Sequence, residues 1–311
     1  MTIRSSSSRS DIAIRQKLRE YWTFLLWRLK ESGGAEYFDD LFLGLDSLGS
    51  TYEAVTGQSF ASAKVFEIGY GARPMRMIAL MSSGIDVRGI DLDRPMLRIG
   101  LRHLARIHRT NGLERAFKTA VRSLLFDRRD RSKMRAALRL RGHRLVIDPS
   151  RFLVGDAATY DFKGTQFDLI YSEDVFEHIP REGLERILAS MARTLSPQGL
   201  AIVTPDIFTG ITGGHLAEWF HHLVEKDIPR ASEPWEHLRK QRFPGNTYLN
   251  ELSRADYRSL FASHFDILEE QVMNPDMGRR WLTPEIKAEL SPWSEEELLS
   301  NNVRFVLRHK R

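Results

Sequence analysis

The sequence predicts an α/β protein built on a seven-stranded, mostly parallel sheet with helices on both faces. Short apolar runs with strand character alternate with amphipathic stretches of helical periodicity from about Lys64 onward. The strand-like runs end in turns rich in glycine, proline or aspartate. With 311 residues and 42% hydrophobic content, the chain can also bury one sizeable core. This alternation is typical of a parallel sheet that is covered on two sides.

Each element has its own signal in the chain. Apolar residues recur at three- and four-residue spacing over 11–31, which predicts a helix before the sheet begins. Pro74 is expected in the first turn of the helix that follows the first strand. Ser253 and Asp256 have the spacing of a capping box and predict the start of a late helix. The remaining predictions are a helix at 181–195 and strands at 65–68, 87–90, 152–154, 167–171, 200–204, 265–272 and 302–308.

Three long connections exceed what a bare sheet needs. We expect a disordered tail at 1–10, a helical cap at 11–60 and one domain at 61–311 that carries these connections. The first, 101–148, is basic and is predicted to be helical. The second and third, 205–250 and 273–301, are rich in Trp, His, Arg and Asn. Since long connections in a compact domain are often functional, we predict that both cover a substrate.

Composition excludes several classes of site. The chain has no cysteine, so disulfides, thiolate metal sites and cysteine nucleophiles are ruled out. It has no apolar run of about 18 residues that would predict a membrane span, and no apolar segment typical of a signal peptide near Met1. The expected location is the cytoplasm, with peripheral association with a membrane surface left open.

The positive charge is concentrated in one segment. The chain carries +5 overall, but residues 101–144 hold 14 Lys/Arg against 3 Asp/Glu, a local net charge of +11. This segment could be a solvated helix face, or it could bind an anionic membrane, an anionic substrate or nucleic acid. Its aromatic residues are only Phe117 and Phe126, which argues against a platform for stacking single-stranded bases.

A glycine-rich turn follows the first predicted strand. In Glu67-Ile68-Gly69-Tyr70-Gly71 the glycines permit positive φ and a close approach to a ligand. The helix N-terminus beyond them offers free N–H groups to a carboxylate or a phosphate. Asp91 ends the second strand 20 residues after Gly71, where a carboxylate can accept hydrogen bonds from both ribose hydroxyls. These residues predict a nucleoside site.

The motifs as a set resemble those of class I S-adenosylmethionine (SAM)-dependent methyltransferases, which have a Rossmann-like fold. The resemblance covers about residues 60–272 and is closest to the branch that acts on sugars, quinones and other small molecules. It is carried, in order, by VFEIGYG, GIDLD, VGDA, FDLIYSEDVFEHIP and LSPQGLAIVTP. The chain departs from the family at Ala72-Arg73-Pro74, where relatives usually have a small residue and another glycine.

The resemblance implies a cofactor site for SAM. The turn with Glu67, Gly69, Tyr70 and Gly71 would hold the amino acid part. The ribose would lie at Asp91 and Leu92, the adenine at Asp156 and Ala157, and the methyl end at Ser172 and Glu173.

Two histidines are candidates for a catalytic base, because methylation of a hydroxyl requires removal of its proton. His178 follows the fourth strand, at the edge that would face the methyl group. His215 follows the fifth strand in Gly213-Gly214-His215, within a connection that also contains His221, His222 and His237.

A divalent metal is a further candidate that the sequence does not favour. Asp174, Glu177, His178 and His215 resemble the pattern of small-RNA 3′-end 2′-O-methyltransferases, and their ligand types would suit Mg²⁺ or Mn²⁺. However, DVFEHI is also common in relatives that use no metal.

The function expected from the sequence is transfer of a methyl group from SAM to a hydroxyl of a glycan, glycolipid or other polar small molecule. One alternative is a metal-assisted RNA 2′-O-methyltransferase. The other is a non-catalytic SAM-binding or Rossmann-like module that docks to a partner.

Overall fold

The computed structural model describes residues 36–97, 128–243 and 247–310, together with positions 105, 108, 109 and 112. The predictions for the tail at 1–10, for the helix at 11–31 and for most of the segment 101–127 lie outside the described residues. Within them, the predicted seven-stranded sheet is confirmed. None of the described helices is long and apolar enough to cross a bilayer.

The sheet has the order β3-β2-β1-β4-β5-β7-β6. Strands β1 to β5 pair in parallel, and β7 runs antiparallel to both β5 and β6. The strands are β1 (Lys64–Ile68), β2 (Asp86–Asp91), β3 (Phe152–Val154), β4 (Phe167–Glu173), β5 (Leu195–Thr204), β6 (Phe265–Val272) and β7 (Val303–His309). Because β1 to β4 run in the same direction and lie side by side, their carboxyl ends form one edge.

Helices cover both faces of the sheet. In chain order they are α1 (Glu36–Thr56), α2 (Met75–Ser82), α3 (Arg128–Leu140), α4 (Arg181–Thr194), α5 (His221–Val224), α6 (Glu236–Arg239), α7 (Arg254–His264), α8 (Pro284–Glu289) and α9 (Glu295–Leu298). Helix α7 starts as the sequence predicts, with a capping box formed by Ser253 and Asp256. Pro74, expected in the first turn of α2, is instead its N-cap, one position before the first helical residue. In the basic segment, which is predicted to be helical, α3 covers Arg128–Leu140.

The alternation of side chains along the strands creates two hydrophobic cores. Val65 in β1 packs with α1, α2 and α3 on one face, and its neighbour Phe66 packs with α4 and α7 on the other. The same alternation holds in β5, where Leu200 and Ile202 face the first core. This period of two is what a sheet buried on both faces requires.

The two late connections form a third hydrophobic cluster. It includes Trp219, Trp235, Leu282 and Leu298, all of them buried, so these residues pack against one another. The tryptophans predicted to cover a substrate thus have a packing role at Trp219 and Trp235. Trp293 is 38% exposed.

Candidate active site

The turn after β1 requires glycine at two positions. Gly69 has φ +80°, and a Cβ added there would come within 2.2 Å of the Val175 side chain. Gly71 has φ +67° and donates its N–H to Oδ2 of Asp91 at 2.7 Å. The carboxylate at the end of β2 therefore holds the shape of the glycine turn.

Asp91 also organises its own strand end. Its Oδ1 accepts the N–H of Asp93 at 2.7 Å, and its main-chain carbonyl accepts the N–H of Gly155 at 2.9 Å. The next residue, Leu92, is 70% exposed. The sheet thus brings Asp91 beside Gly155, which starts the turn after β3.

The turn after β3 carries the two residues predicted at the adenine. Asp156 is exposed, and its Oδ1 accepts the N–H of Ala158 at 2.8 Å. Ala157 is half-buried and packs against the second core. Both lie next to the end of β2, as a nucleoside site across β2 and β3 would require.

A cavity of about 600 Å³ opens on the α1 side of the sheet, near the carboxyl ends of β1, β4 and β5. Four predicted cofactor residues line it, namely Glu67, Tyr70, Ser172 and Glu173. Helix α1 forms one apolar wall with Leu41, Leu45 and Leu48. The opposite wall is polar and charged and includes Arg73, Arg76, Asp174, Thr204, His221, Asn274, Asn302 and Arg304.

The glutamate of β1 is a buried acid in this wall. Glu67 is 3% exposed, and its Oε2 has no hydrogen-bond partner. Burial raises the pKa of Glu67 to about 7, although the positive charge of Arg76 opposes the shift. Arg76 itself pairs with Glu173 at 2.7 Å. Glu67 is therefore a group whose charge responds to pH and to a ligand in the cavity.

Arg73, at the departure from the family pattern, is an ion-pair partner. It binds Asp130 of α3 and lines the cavity. The pair ties the glycine turn of β1 to the helix of the basic segment. Asp130 is buried, so this contact is part of the packing of α3.

A second polar group, the histidine–carboxylate cluster, lies at the ends of β4 and β5. It consists of Asp174, Glu177, His178, Asp206, His215 and His221. Nε2 of His215 lies 3.1 Å from Oδ2 of Asp206, and Nε2 of His221 lies 3.4 Å from Oδ1 of the same carboxylate. Burial alone would raise the pKa of Asp206, but the two histidines outweigh it and lower that pKa to about 2. Asp206 is thus a fixed negative charge between two imidazoles.

Two members of the cluster have strained backbones. Asp174 has φ 56° and His215 has φ 50°, in the left-handed region that non-glycine residues seldom adopt. Such strain concentrates at functional sites, where the surrounding structure holds the residue in place.

The structure assigns different positions to the two predicted bases. His215 contacts Asp206 on the side away from His221, and its ring stacks edge-on against His178 at 5.0 Å. Among the described residues that line the cavity, His221 is the histidine. His178 and His215 belong to the cluster but not to the cavity lining described above.

Sequence reasoning missed two members of the site. Asp206 directly follows Pro205 after β5. A carboxylate at the end of a parallel strand is a feature by which the sequence could have indicated it as a site residue. Asn302 comes just before the antiparallel β7, and its amide donates to Asp206 and, at 3.4 Å, to Asp174. Local sequence offers no signal for Asn302, because only strand pairing brings residues 96 and 128 positions apart into contact.

Comparisons with known proteins found one family model and several solved structures that resemble the chain. The family model described as "Methyltransferase domain" matches residues 112–203. A search of curated proteins found no match. Similar solved structures include a protein from Pyrococcus horikoshii, with 14% identity over 90% of this chain and 93% of that one and a TM-score of 0.44.

Two further structures have named activities. The plantazolicin methyltransferase BpumL in complex with S-adenosylhomocysteine is 11% identical over 98% of both chains, with a TM-score of 0.46. A phosphoethanolamine N-methyltransferase from Haemonchus contortus is 17% identical over 84% of this chain and 53% of that one, with a TM-score of 0.41. Similarity this low says nothing about the acceptor. The family match covers less than a third of the chain, so it shows similarity to a methyltransferase domain over residues 112–203.

Proposed function

We propose that the chain binds SAM along the carboxyl ends of β1 to β4 and methylates a hydroxyl of a polar small molecule, such as a glycan or glycolipid, in the 600 Å³ cavity. The observation that carries this proposal is the position of His221. It lines the same cavity as Ser172 and Glu173 and contacts the buried Asp206 at 3.4 Å.

The residues at this edge fit SAM. Adjacent strand ends present Glu67 with its unpartnered oxygen, the carboxylate of Asp91 and the exposed Asp156 in one row. Glu67 and Tyr70 would hold the amino acid part, Asp91 the ribose and Asp156 the adenine. When bound, SAM supplies a methyl group that its sulfonium already activates for transfer.

His221 is the base in this proposal. Its Nε2 faces Asp206, which leaves Nδ1 as the nitrogen that can take the proton of an acceptor hydroxyl. Asp206 orients the ring and stabilises the imidazolium that forms. His215, the candidate favoured by the sequence, contacts the other oxygen of Asp206 and supports the same carboxylate.

The cavity walls favour an acceptor with both polar and apolar surfaces. Asn274, Asn302 and Arg304 offer hydrogen-bond donors, and the leucines of α1 offer an apolar surface. Polar donors beside an apolar wall suit a sugar ring or the head of a glycolipid. RNA, the alternative acceptor predicted from the sequence, would draw on 101–144, much of which lies outside the described residues.

The cofactor assignment is tested at Asp91. We expect Asp91→Ala to weaken SAM binding by about 10- to 100-fold, because an ionised hydrogen-bond acceptor is lost from the ribose position. Isothermal titration calorimetry measures the affinity, and circular dichroism checks the fold. The control is Asp161→Asn, which alters an exposed carboxylate that also accepts a main-chain N–H, from Lys163. Equal SAM affinity in Asp91→Ala and wild type would refute the assignment, and a wild type that binds no SAM would favour the interaction-module alternative.

The base assignment is tested at His221. We expect His221→Gln to lower kcat by about 10²- to 10⁴-fold with SAM affinity unchanged. Turnover is followed by transfer of a labelled methyl group to an acceptor found by screening sugars and other polar hydroxyl compounds. The adjacent His222→Gln serves as the matched control and should keep wild-type turnover. A His221→Gln enzyme with wild-type kcat would rule out His221 as the base.

A further inference from the structure

Three arginines are among the described residues that line the cavity, and they differ in their partners. Arg73 pairs with Asp130 of α3. Arg76 pairs with Glu173, at the end of β4, at 2.7 Å. No described carboxylate pairs with the third, Arg304. Arg304 is therefore the cavity arginine whose charge is left unbalanced by the part of the chain that the structure describes.

Two hydroxyl groups of α1 hold the guanidinium of Arg304 in place. Its Nη1 donates to Oγ of Ser47 at 3.3 Å, and its Nη2 donates to Oγ1 of Thr51, one helical turn further along α1. These neutral hydroxyls orient the group but supply no negative charge. The side chain is half-buried, and a guanidinium stays protonated and has more N–H donors than these two contacts use. Arg304 is thus a fixed positive charge with donors available to a ligand.

The order of the strands separates Arg304 from the cofactor residues of β1. Arg304 lies in β7, and both β4 and β5 lie between that strand and β1. Three strand spacings correspond to about 14 Å. In the proposed function, Glu67 and Tyr70 hold the amino acid part of SAM at the β1 end. An anionic group at Arg304 would therefore belong to the acceptor and not to the carboxylate of SAM.

Arg304 lies much closer to the proposed base. Asn302 comes two residues before it and lines the same cavity. The amide of Asn302 donates to Asp206, the carboxylate that His221 contacts at 3.4 Å. Because an extended chain rises about 3.3 Å per residue, Arg304 lies about 7 Å from Asn302 along β7. A hydroxyl at His221 and an anionic group at Arg304 are therefore close enough to belong to one small molecule.

We propose that the acceptor carries an anionic group, a carboxylate or a phosphate, and that Arg304 binds it. The inference rests on the proposed function, because it concerns the acceptor of the same cavity. Hydrogen bonds between a guanidinium and a carboxylate or phosphate are charge-assisted, and the planar fork of the guanidinium can bind two oxygens at once. Asn274 and Asn302 line the same cavity and suit the hydroxyls of a sugar ring. The substrate class is therefore an acidic sugar or a sugar phosphate.

The test is isothermal titration calorimetry with D-glucuronate, D-glucose 6-phosphate and D-glucose, each with and without saturating S-adenosylhomocysteine. We expect one of the two anionic probes to bind about tenfold or more tightly than glucose, which lacks the group that Arg304 binds. The preferred probe tells whether that group is a carboxylate or a phosphate. Arg304→Gln should weaken binding of this probe by about tenfold or more. The matched control is Arg88→Gln, an exposed arginine of β2 outside the cavity lining, which should bind it like the wild type.

A second variant covers the case in which Arg304→Gln fails to fold. Arg304→Lys keeps the positive charge but loses the planar fork, so it should fold and bind the preferred anionic probe less tightly than the wild type. A wild type that binds neither anionic probe more tightly than glucose would overturn the inference. Wild-type affinity for the preferred probe in a folded Arg304→Gln or Arg304→Lys variant would also overturn it.

The titrations separate this inference from the proposed function, because binding of a probe needs no methyl transfer. Methylation of a neutral sugar by a chain that does not prefer anionic probes would refute the inference and leave the proposed function in place. An anionic probe held by Arg304 in a chain that methylates no acceptor would count against the proposed function alone.

Discussion

At the scale of single residues, the site contains carboxyl groups whose pKa values are shifted by burial and by their neighbours. Glu67 and Asp206 are both nearly inaccessible, yet their pKa values move in opposite directions. Glu67 has an unpartnered oxygen, so burial dominates. Asp206 has two histidines beside it, so their positive partial or full charge dominates. Neighbours thus decide the ionisation of each acid.

Glu67 gives a stability prediction with a defined pH window. Its pKa is about 7 in the folded protein, against an ordinary value of 4.5 for a glutamate, so the native state holds the proton more tightly. The stabilisation of the folded state by the protonated Glu67 is fully present below pH 4.5. It is lost as the pH rises to about 7, which lowers the free energy of unfolding by about 3 kcal/mol.

The variant Glu67→Gln isolates this effect from the other buried acids. We expect the unfolding free energy of Glu67→Gln relative to wild type to increase by about 3 kcal/mol between pH 4.5 and pH 7.5. Urea denaturation at several pH values measures it. A difference between the two proteins that does not change with pH would contradict the assigned pKa.

At the scale of elements, strand ends and helix starts position the functional residues. The turn after β1 is shaped by two positive-φ glycines and held by Asp91, and the start of α7 is fixed by Ser253 and Asp256. Helix α7 in turn buries Tyr257 and Phe261 in the second core.

Removal of the helix cap should destabilise the protein without altering the site. We expect Ser253→Ala to lower the unfolding free energy by about 1 kcal/mol, because the N–H of Asp256 loses its acceptor. Chemical denaturation measures the loss. Ser263→Ala, in the same helix, removes a hydroxyl that donates only to the carbonyl of Leu260 and should cost less. Equal losses in the two variants would argue against the capping role.

At the scale of the whole molecule, three hydrophobic clusters build the domain. Two lie on the faces of the sheet, and the third joins the connections 205–250 and 273–301 to each other. Leu216, the next residue after His215 along the chain, belongs to this third cluster. Stability of these connections is therefore a condition for the histidine–carboxylate cluster.

Trp235 shows how firmly the third cluster is packed. It is fully buried, and its Nε1 donates to the carbonyl of Thr209 at 3.1 Å. We expect Trp235→Phe to lower the unfolding free energy by about 2–4 kcal/mol, because a cavity and an unpaired carbonyl remain. The exposed Trp293→Phe should change it by less than about 0.5 kcal/mol. A Trp235→Phe protein as stable as the control would show that the cluster is loosely packed.

The sequence by itself determined the strand order along the chain, the glycine turn and the acids at the strand ends. These features are local, because periodicity, turn residues and caps act over a few positions. Tertiary structure alone decided which histidine lines the cavity and which carboxylate lies between His215 and His221. Those choices depend on β5 and the antiparallel β7 meeting, which brings Asp206 and Asn302 together. Pairing between distant segments is set by the packing of the whole sheet, so no local pattern encodes it.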